Sequence, residues 1–218
     1  MSLAWLREAA SANQKLASTA PDPSTWSRID EIGGGLYICG AAALEDTATM
    51  QKLGIRSVLN CGEESLLHRS CNGGVTLREQ LDGFRVEHLE AMDIEEQPMS
   101  AAWERGSTFI EESVRSGNGV VVHCQAGVSR SSSTCIAYLM TREGLPLESA
   151  FRRVFQARDY IRPNAGFWGQ LKELEAQRAK VAPHLETPKT NDDAATRAMA
   201  LLDAQLAQRR AAQAAGWL

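Results

Sequence analysis

Short β-rich runs alternate with helix-period runs from Trp26 onward. Arg28 to Ile32 and Leu36 to Cys39 flank Gly33-Gly34-Gly35, which predicts a hairpin. Ala42 to Leu53 reads as a helix stopped by Gly54, and Ile55 to Asn60 as a buried strand. Cys61 to Gly83 is a longer polar connection. Phe84 to Leu89 alternates, with Phe84, Val86 and His88 on one side, and reads as a strand. Ser100 to Ser116 has Trp103, Ile110 and Val114 on one helical face, with Ser100 as the expected N-cap. Gly119-Val120-Val121-Val122 has the continuous apolar character of a strand covered on both faces. Three more helices are predicted. The first runs from Ser129 to Arg142 and ends at Gly144. The second, Leu147 to Arg158, has Ala150, Phe151, Val154 and Phe155 at core spacing. The third is Phe167 to Lys180. The alternation predicts an α/β fold: a central, mostly parallel twisted sheet of about five strands flanked by helices.

Both ends of the chain differ from this middle. Met1 to Thr19 is rich in Ala and Ser, with Leu3, Leu6 and Leu16 as anchors of a short helix, and Pro21 to Ser24 reads as a turn. The expected division is an extension over 1–25, a domain over 26–182, and a linker plus Ala-rich helix over 183–218. Met199, Leu202 and Leu206 form one narrow apolar stripe on that last helix, suited to docking on the domain, on a partner or on a second copy.

Composition narrows the class without naming a function. The 218 residues are 44% hydrophobic, enough for one core without disulfides or a structural metal. No apolar run is long enough to span a bilayer, so no membrane partner is expected. A net charge of -4 argues against a nucleic-acid binder. Five cysteines, an odd number, favour a reducing compartment over a disulfide framework, so a cytoplasmic location, extending to the nucleus, is expected. No Cys-x-x-Cys or paired-His spacing is present, so neither a metal nor another cofactor is expected.

The chemistry concentrates in Val121-Val122-His123-Cys124-Gln125-Ala126-Gly127-Val128-Ser129-Arg130-Ser131. A strand runs into Cys124, a glycine-containing loop follows, and a helix opens at Arg130. Unpaired loop amides ahead of a helix N-terminus make an anion site. Arg130 adds a bidentate fork suited to phosphate oxygens. The same positive field suits a thiolate. Read alone, a cysteine after three valines is a small buried apolar residue. Cysteine, five residues, then arginine, in strand–loop–helix context, points instead to a nucleophile aimed at phosphorus.

His123 to Ser131 matches the HCxxGxxRS pattern of cysteine-dependent phosphatases. Continued by Cys135 to Met140, it resembles the dual-specificity protein phosphatases, especially mitogen-activated-protein-kinase phosphatase catalytic domains. The likeness extends over much of 27–178. It takes in Leu36-Tyr37-Ile38-Cys39-Gly40, Leu53-Gly54-Ile55, Val58-Leu59-Asn60, Pro163-Asn164, Phe167, Gln170 and Leu171. Only a short segment precedes the domain here, so the likeness is to the small atypical class, and docking to a MAP kinase through a separate N-terminal domain is not expected.

The resemblance implies a cysteine-phosphatase-like sheet and a role for each matching position. Cys124 would be the nucleophile, forming a phosphocysteine. Amides of Gln125, Ala126, Gly127, Val128, Ser129 and Arg130 would hold the phosphoryl oxygens, with the Arg130 side chain stabilising the transition state. Ser131 would hydrogen-bond the departing thiolate, and His123 would sit behind the cysteine and order the loop. Asp93 would be the proton donor, its offsets to Trp103 and Cys124 resembling the family's; Glu95 competes for that role, and a solvated acidic loop is the plainer alternative. Asn164 would order the loop, unless it only forms a turn after Pro163. Arg158 would contact a second phosphate or an acidic substrate flank, unless it is a solvated helix-end charge.

The implied substrates are phosphorylated proteins carrying phosphotyrosine, phosphoserine or phosphothreonine. Gln125, Ala126 and Val128 are uncharged where inositide phosphatases tend to carry lysine. No counterpart of the deep-pocket tyrosine loop of phosphotyrosine-only members is found near Arg28 to Tyr37. Two alternatives stay open: a phosphatase for a lipid or glycan phosphate, and a phospho-binding module without turnover. Peroxide control through Cys71, Cys61 or Cys135 is a further expectation.

Overall fold

The computed structural model describes residues 23–71, 74–181 and 194–214. The helix expected over Met1 to Thr19 and the linker after Val181 lie outside the described residues.

Five strands form one sheet: β1 (Ile29–Gly33), β2 (Leu36–Gly40), β3 (Ile55–Asn60), β4 (Arg85–His88) and β5 (Gly119–Cys124). Their order is β1-β2-β5-β3-β4, with β1 antiparallel to β2 and the other pairings parallel. The predicted hairpin is present. Gly33, Gly34 and Gly35 have φ of 110°, 64° and 83°, the left-handed region in which a side chain is strained. β5 lies centrally between β2 and β3, and all six of its residues are buried. A strand with sheet on both edges and helices on both faces has no wet side, which is why its sequence reads as an unbroken apolar run.

The helices are α1 (Thr47–Lys52), α2 (Ser65–His68), α3 (Leu77–Gln80), α4 (Ser100–Arg115), α5 (Arg130–Thr141), α6 (Leu147–Ala157), α7 (Ala165–Val181) and α8 (Ala194–Ala214), with 3-10 turns at Pro23–Ser27 and Ala41–Glu45. The larger core packs α4 to α8 against one sheet face around Phe151, Phe167, Trp168 and Ile136. A smaller cluster on the other face joins Leu44, Met50, Leu67 and Leu77 to Val58 and Val121. α5 runs through the larger core, and every residue from Arg130 to Met140 is buried.

Three expectations are corrected. The helix expected over Ala42 to Leu53 is broken at Asp46, whose side chain caps α1 by accepting from the Thr49 amide at 2.9 Å and hydroxyl at 2.6 Å. A residue that caps one helix leaves the helical conformation and so ends the element before it. Ser100 is the first residue of α4 and the cap position falls on Met99. The connection from Cys61 to Gly83 contains α2 and α3, one turn each and too short for a period to register. α3 is held by a reciprocal cap between Thr76 and Glu79.

The C-terminal stripe docks on the chain's own domain. Ala195, Leu202 and Leu206 are buried in the larger core, Met199 packs against it, and Trp168 Nε1 donates to Asp203 Oδ1 at 2.7 Å. Among the described residues, no helix is long and apolar enough to cross a membrane.

Candidate active site

β5 delivers Cys124 to the C-terminal edge of the sheet, residues 125–129 curl over it, and α5 begins at Arg130. Every carbonyl of the curl is tied outward. Gln125 O accepts from the Ala41 amide at 3.1 Å, and Val128 O from the Arg162 amide at 2.9 Å. Ala126 O and Gly127 O accept from Arg158 Nη2 at 3.0 Å and Nε at 2.9 Å. Ser129 O accepts from the Ser133 amide and the Ser132 hydroxyl, both at 2.9 Å. The amides of residues 125–129, by contrast, have no acceptor among the described residues. Tying the carbonyls out turns the N–H groups in, over the N-terminus of a 12-residue helix. Gly127 makes the curl possible: its φ is 71°, and a Cβ there would lie 2.5 Å from Cys39 O.

Under this cup sits the Cys124 thiol, 2% exposed, with Sγ 3.3 Å from Ser131 Oγ. Beside it is the Arg130 side chain, 7% exposed. Arg130 Nη1 contacts Glu63 Oε2 at 2.9 Å and Ala91 O at 3.3 Å. Its Nε forms an ion pair with Asp93 Oδ2 at 3.5 Å, too long for a good hydrogen bond, and among the described residues it is buried without a hydrogen-bond partner. Burial works against the Arg130 charge, but the Glu63 hydrogen bond and the nearby Cys124, Glu63 and Asp93 outweigh it and hold the guanidinium above its ordinary value. That donor, free of a hydrogen bond, is what an incoming oxyanion would take up.

Asp93 is brought to the same place. Ser129 Oγ and Asn164 Nδ2 both donate to its Oδ1, at 2.7 and 2.9 Å, leaving Oδ2 toward Arg130. Asn164 is therefore more than a turn residue: its amide N–H also donates to Ser129 Oγ at 3.1 Å, while its Oδ1 accepts from Phe167 N–H at the start of α7. The competing Glu95 instead lines a pocket with Gly166, Gly169, Leu206 and Arg210, toward α7 and α8.

His123 is fully buried behind the cysteine, and neither ring nitrogen has a partner that meets hydrogen-bond geometry among the described residues. Burial pushes it down to about 3, opposed in part by the Cys124 backbone, so the ring is neutral at physiological pH. Burial also holds the other four thiols protonated: Cys61 is pushed up to about 12, and Cys39, Cys71 and Cys135 are raised.

Arg158 is the site residue whose expected role is overturned. Its side chain has no exposure. Beyond the two loop carbonyls, Nη1 contacts Asp30 Oδ2 at 2.5 Å and Arg28 O at 3.3 Å. With every nitrogen engaged inside the protein, it is a strut for the back of the loop and has nothing left for substrate. Its ring contact with Tyr160, 4.5 Å to the centroid, closes the remaining face.

Two partners escaped the sequence reading. Glu63 reaches Arg130 from the turn after β3, which Asn60 shapes by accepting from the Gly62 amide at 2.9 Å. Asp30 anchors Arg158 from β1. Both are distant in sequence from their arginines, so spacing carried no signal. Among the described residues, no cluster of His, Cys, Asp and Glu could hold a metal ion.

Comparison with known proteins fits this geometry. The family model described as the dual specificity phosphatase catalytic domain matches residues 36–177. Dual specificity protein phosphatase 2 of Mus musculus is 35% identical over 150 residues, 67% of this chain and 43% of that protein. Dual specificity protein phosphatase 1 of Homo sapiens is 34% identical over 173 residues, 79% of this chain and 42% of that protein. The chain thus spans less than half the length of these relatives. Among solved structures, human DUSP28 superposes with a TM-score of 0.60 at 26% identity, over 73% of this chain and 97% of that one.

Proposed function

Because the chain belongs to the dual specificity phosphatase catalytic-domain family, we propose that it hydrolyses phosphotyrosine and phosphoserine or phosphothreonine in proteins through a phosphocysteine. The observation that carries the reading is the cup itself: loop amides without acceptors and a buried Arg130 Nε without a hydrogen bond, among the described residues, around the thiol of Cys124.

In the first step the Cys124 sulfur attacks phosphorus and the P–O ester bond breaks. The three non-bridging oxygens rest on the loop amides and Arg130, which supports the charge of the transition state. The leaving oxygen takes a proton from Asp93. Oδ1 is occupied by Ser129 and Asn164, so Oδ2 is the atom assigned to carry that proton. In the second step water gives its proton to Asp93 and attacks phosphorus. The Cys–P bond breaks, inorganic phosphate leaves, and Ser131 Oγ, already 3.3 Å away, donates to the released thiolate.

A protein substrate is supported by the uncharged Gln125, Ala126 and Val128 in the loop, which supply no extra cations for a multiply phosphorylated headgroup. The test is a panel of phosphotyrosyl and phosphothreonyl peptides, phosphoinositide vesicles and a phosphoglucan, assayed for phosphate release. Turnover of both peptide classes above the others is expected. Preference for the lipid or glycan would replace the substrate class, and tight binding without release would mean a phospho-binding module.

A further inference from the structure

The segment that carries Asp93, between β4 and α4, has no regular secondary structure from Leu89 to Met99. A proton donor on such a segment needs external anchors, because a small displacement at the reacting oxygen is costly in rate. Asn164 supplies one anchor at Asp93 itself.

The second lies at the far end of the segment. Gln170 Nε2 donates to Gln97 O at 2.8 Å, and Gln170 Oε1 accepts from the Met99 amide at 2.8 Å. One planar side-chain amide thus bridges two backbone groups on either side of Pro98, which has no N–H of its own. The anchor reaches back toward Asp93: Gln97 N–H donates to Ile94 O at 3.2 Å, and Gln97 Oε1 accepts from the Met92 amide at 3.2 Å. Asn164 and Gln170 stand at the start and second turn of the same helix. α7 is fixed there by the fully buried Phe167, Trp168 and Leu171, and by α8, whose Leu206 packs on Gly169.

We propose that Gln170 is a positioning residue for Asp93: it sets the 97–99 end of the segment so that the carboxyl meets the leaving oxygen. The proposal rests on Asp93 being the proton donor, and the test separates the two. Gln170→Met keeps the length of the side chain and removes both hydrogen bonds. Turnover is measured on a series of aryl phosphates of rising leaving-group pKa, alongside the thermal midpoint.

The expected result is a loss of about ten- to a hundredfold on the poorest leaving groups, a much smaller loss on the best, and no further loss when Gln170→Met is added to Asp93→Asn. Uniform loss across the series, or full additivity with Asp93→Asn, would overturn the proposal while leaving Asp93 in its role. An Asp93→Asn enzyme with an unchanged leaving-group slope would remove both.

Discussion

Arg130 and Arg158 lie against opposite faces of one loop, with side-chain exposures of 7% and 0%. Burial hardly distinguishes them. What differs is where their donors go. Arg158 uses all three nitrogens on protein groups: two loop carbonyls, the Arg28 carbonyl and the Asp30 carboxylate. Arg130 keeps its Nε without a hydrogen bond, beside amides that also lack acceptors, among the described residues. The outer arginine pulls carbonyls out, and that is what presents N–H groups to the inner one. The contrast teaches that a buried arginine near an anion site is assigned by its unmet hydrogen bonds. Satisfied, it is scaffold; unsatisfied, it awaits a ligand.

That contrast can be broken at each face. The largest effect is expected from Arg158→Met. It leaves Asp30 Oδ2, the Arg28 carbonyl and two loop carbonyls without their Arg158 donor, while Arg28 Nε stays on Asp30 Oδ1 at 3.0 Å, and removing one member of a buried pair costs about 3–5 kcal/mol. Chemical denaturation should show that loss, with activity falling too because the loop carbonyls lose the donor that holds the amides toward Arg130. An unchanged midpoint together with a selective rise in KM for doubly phosphorylated peptides would restore the substrate-contact role. Arg130→Lys should do the reverse. It keeps the charge but loses the planar fork, and kcat/KM should drop by roughly 10²–10³ with little change in denaturation midpoint.

A smaller effect, confined to acid, sharpens the third side of the loop, where His123 sits. Its folded-state value, about 3, is below the ordinary histidine value, so the folded chain binds fewer protons than the unfolded one. This contribution to stability is complete above about pH 6.5 and is lost as pH falls toward the folded value. Denaturation midpoints across that window should decline less steeply in His123→Gln than in the parent chain. Equal slopes would mean that the ring is not buried neutral.

Much of this was legible in the residues themselves. The apolar run ending at Cys124, the glycine at 127 and the arginine at 130 specify a strand, a curl and a helix start, because each is fixed by local backbone chemistry. The triple glycine at 33–35 specifies the hairpin for the same reason. Asp93 was reachable because the resemblance to the family supplied an offset. Arg158 was misassigned because a helix-end position says nothing about direction: it turns inward only because Asp30, on a strand far along the chain, meets it there. Glu63 was missed on similar grounds, since only the juxtaposition of β3 and β5 brings its turn beside Arg130. The break at Asp46 is a subtler failure. Asp in a helical pattern is tolerated until its side chain finds the amide three residues on, and here it does.

The central claim is that Cys124 becomes phosphorylated during turnover. Acid quench of the enzyme in the steady state with an aryl phosphate, followed by mass spectrometry of its peptides, tests it most directly. The account predicts one phosphoryl group on the peptide containing Cys124, absent from Cys124→Ser, which should not turn over. Phosphate found on another residue, or turnover that survives Cys124→Ser, would contradict it.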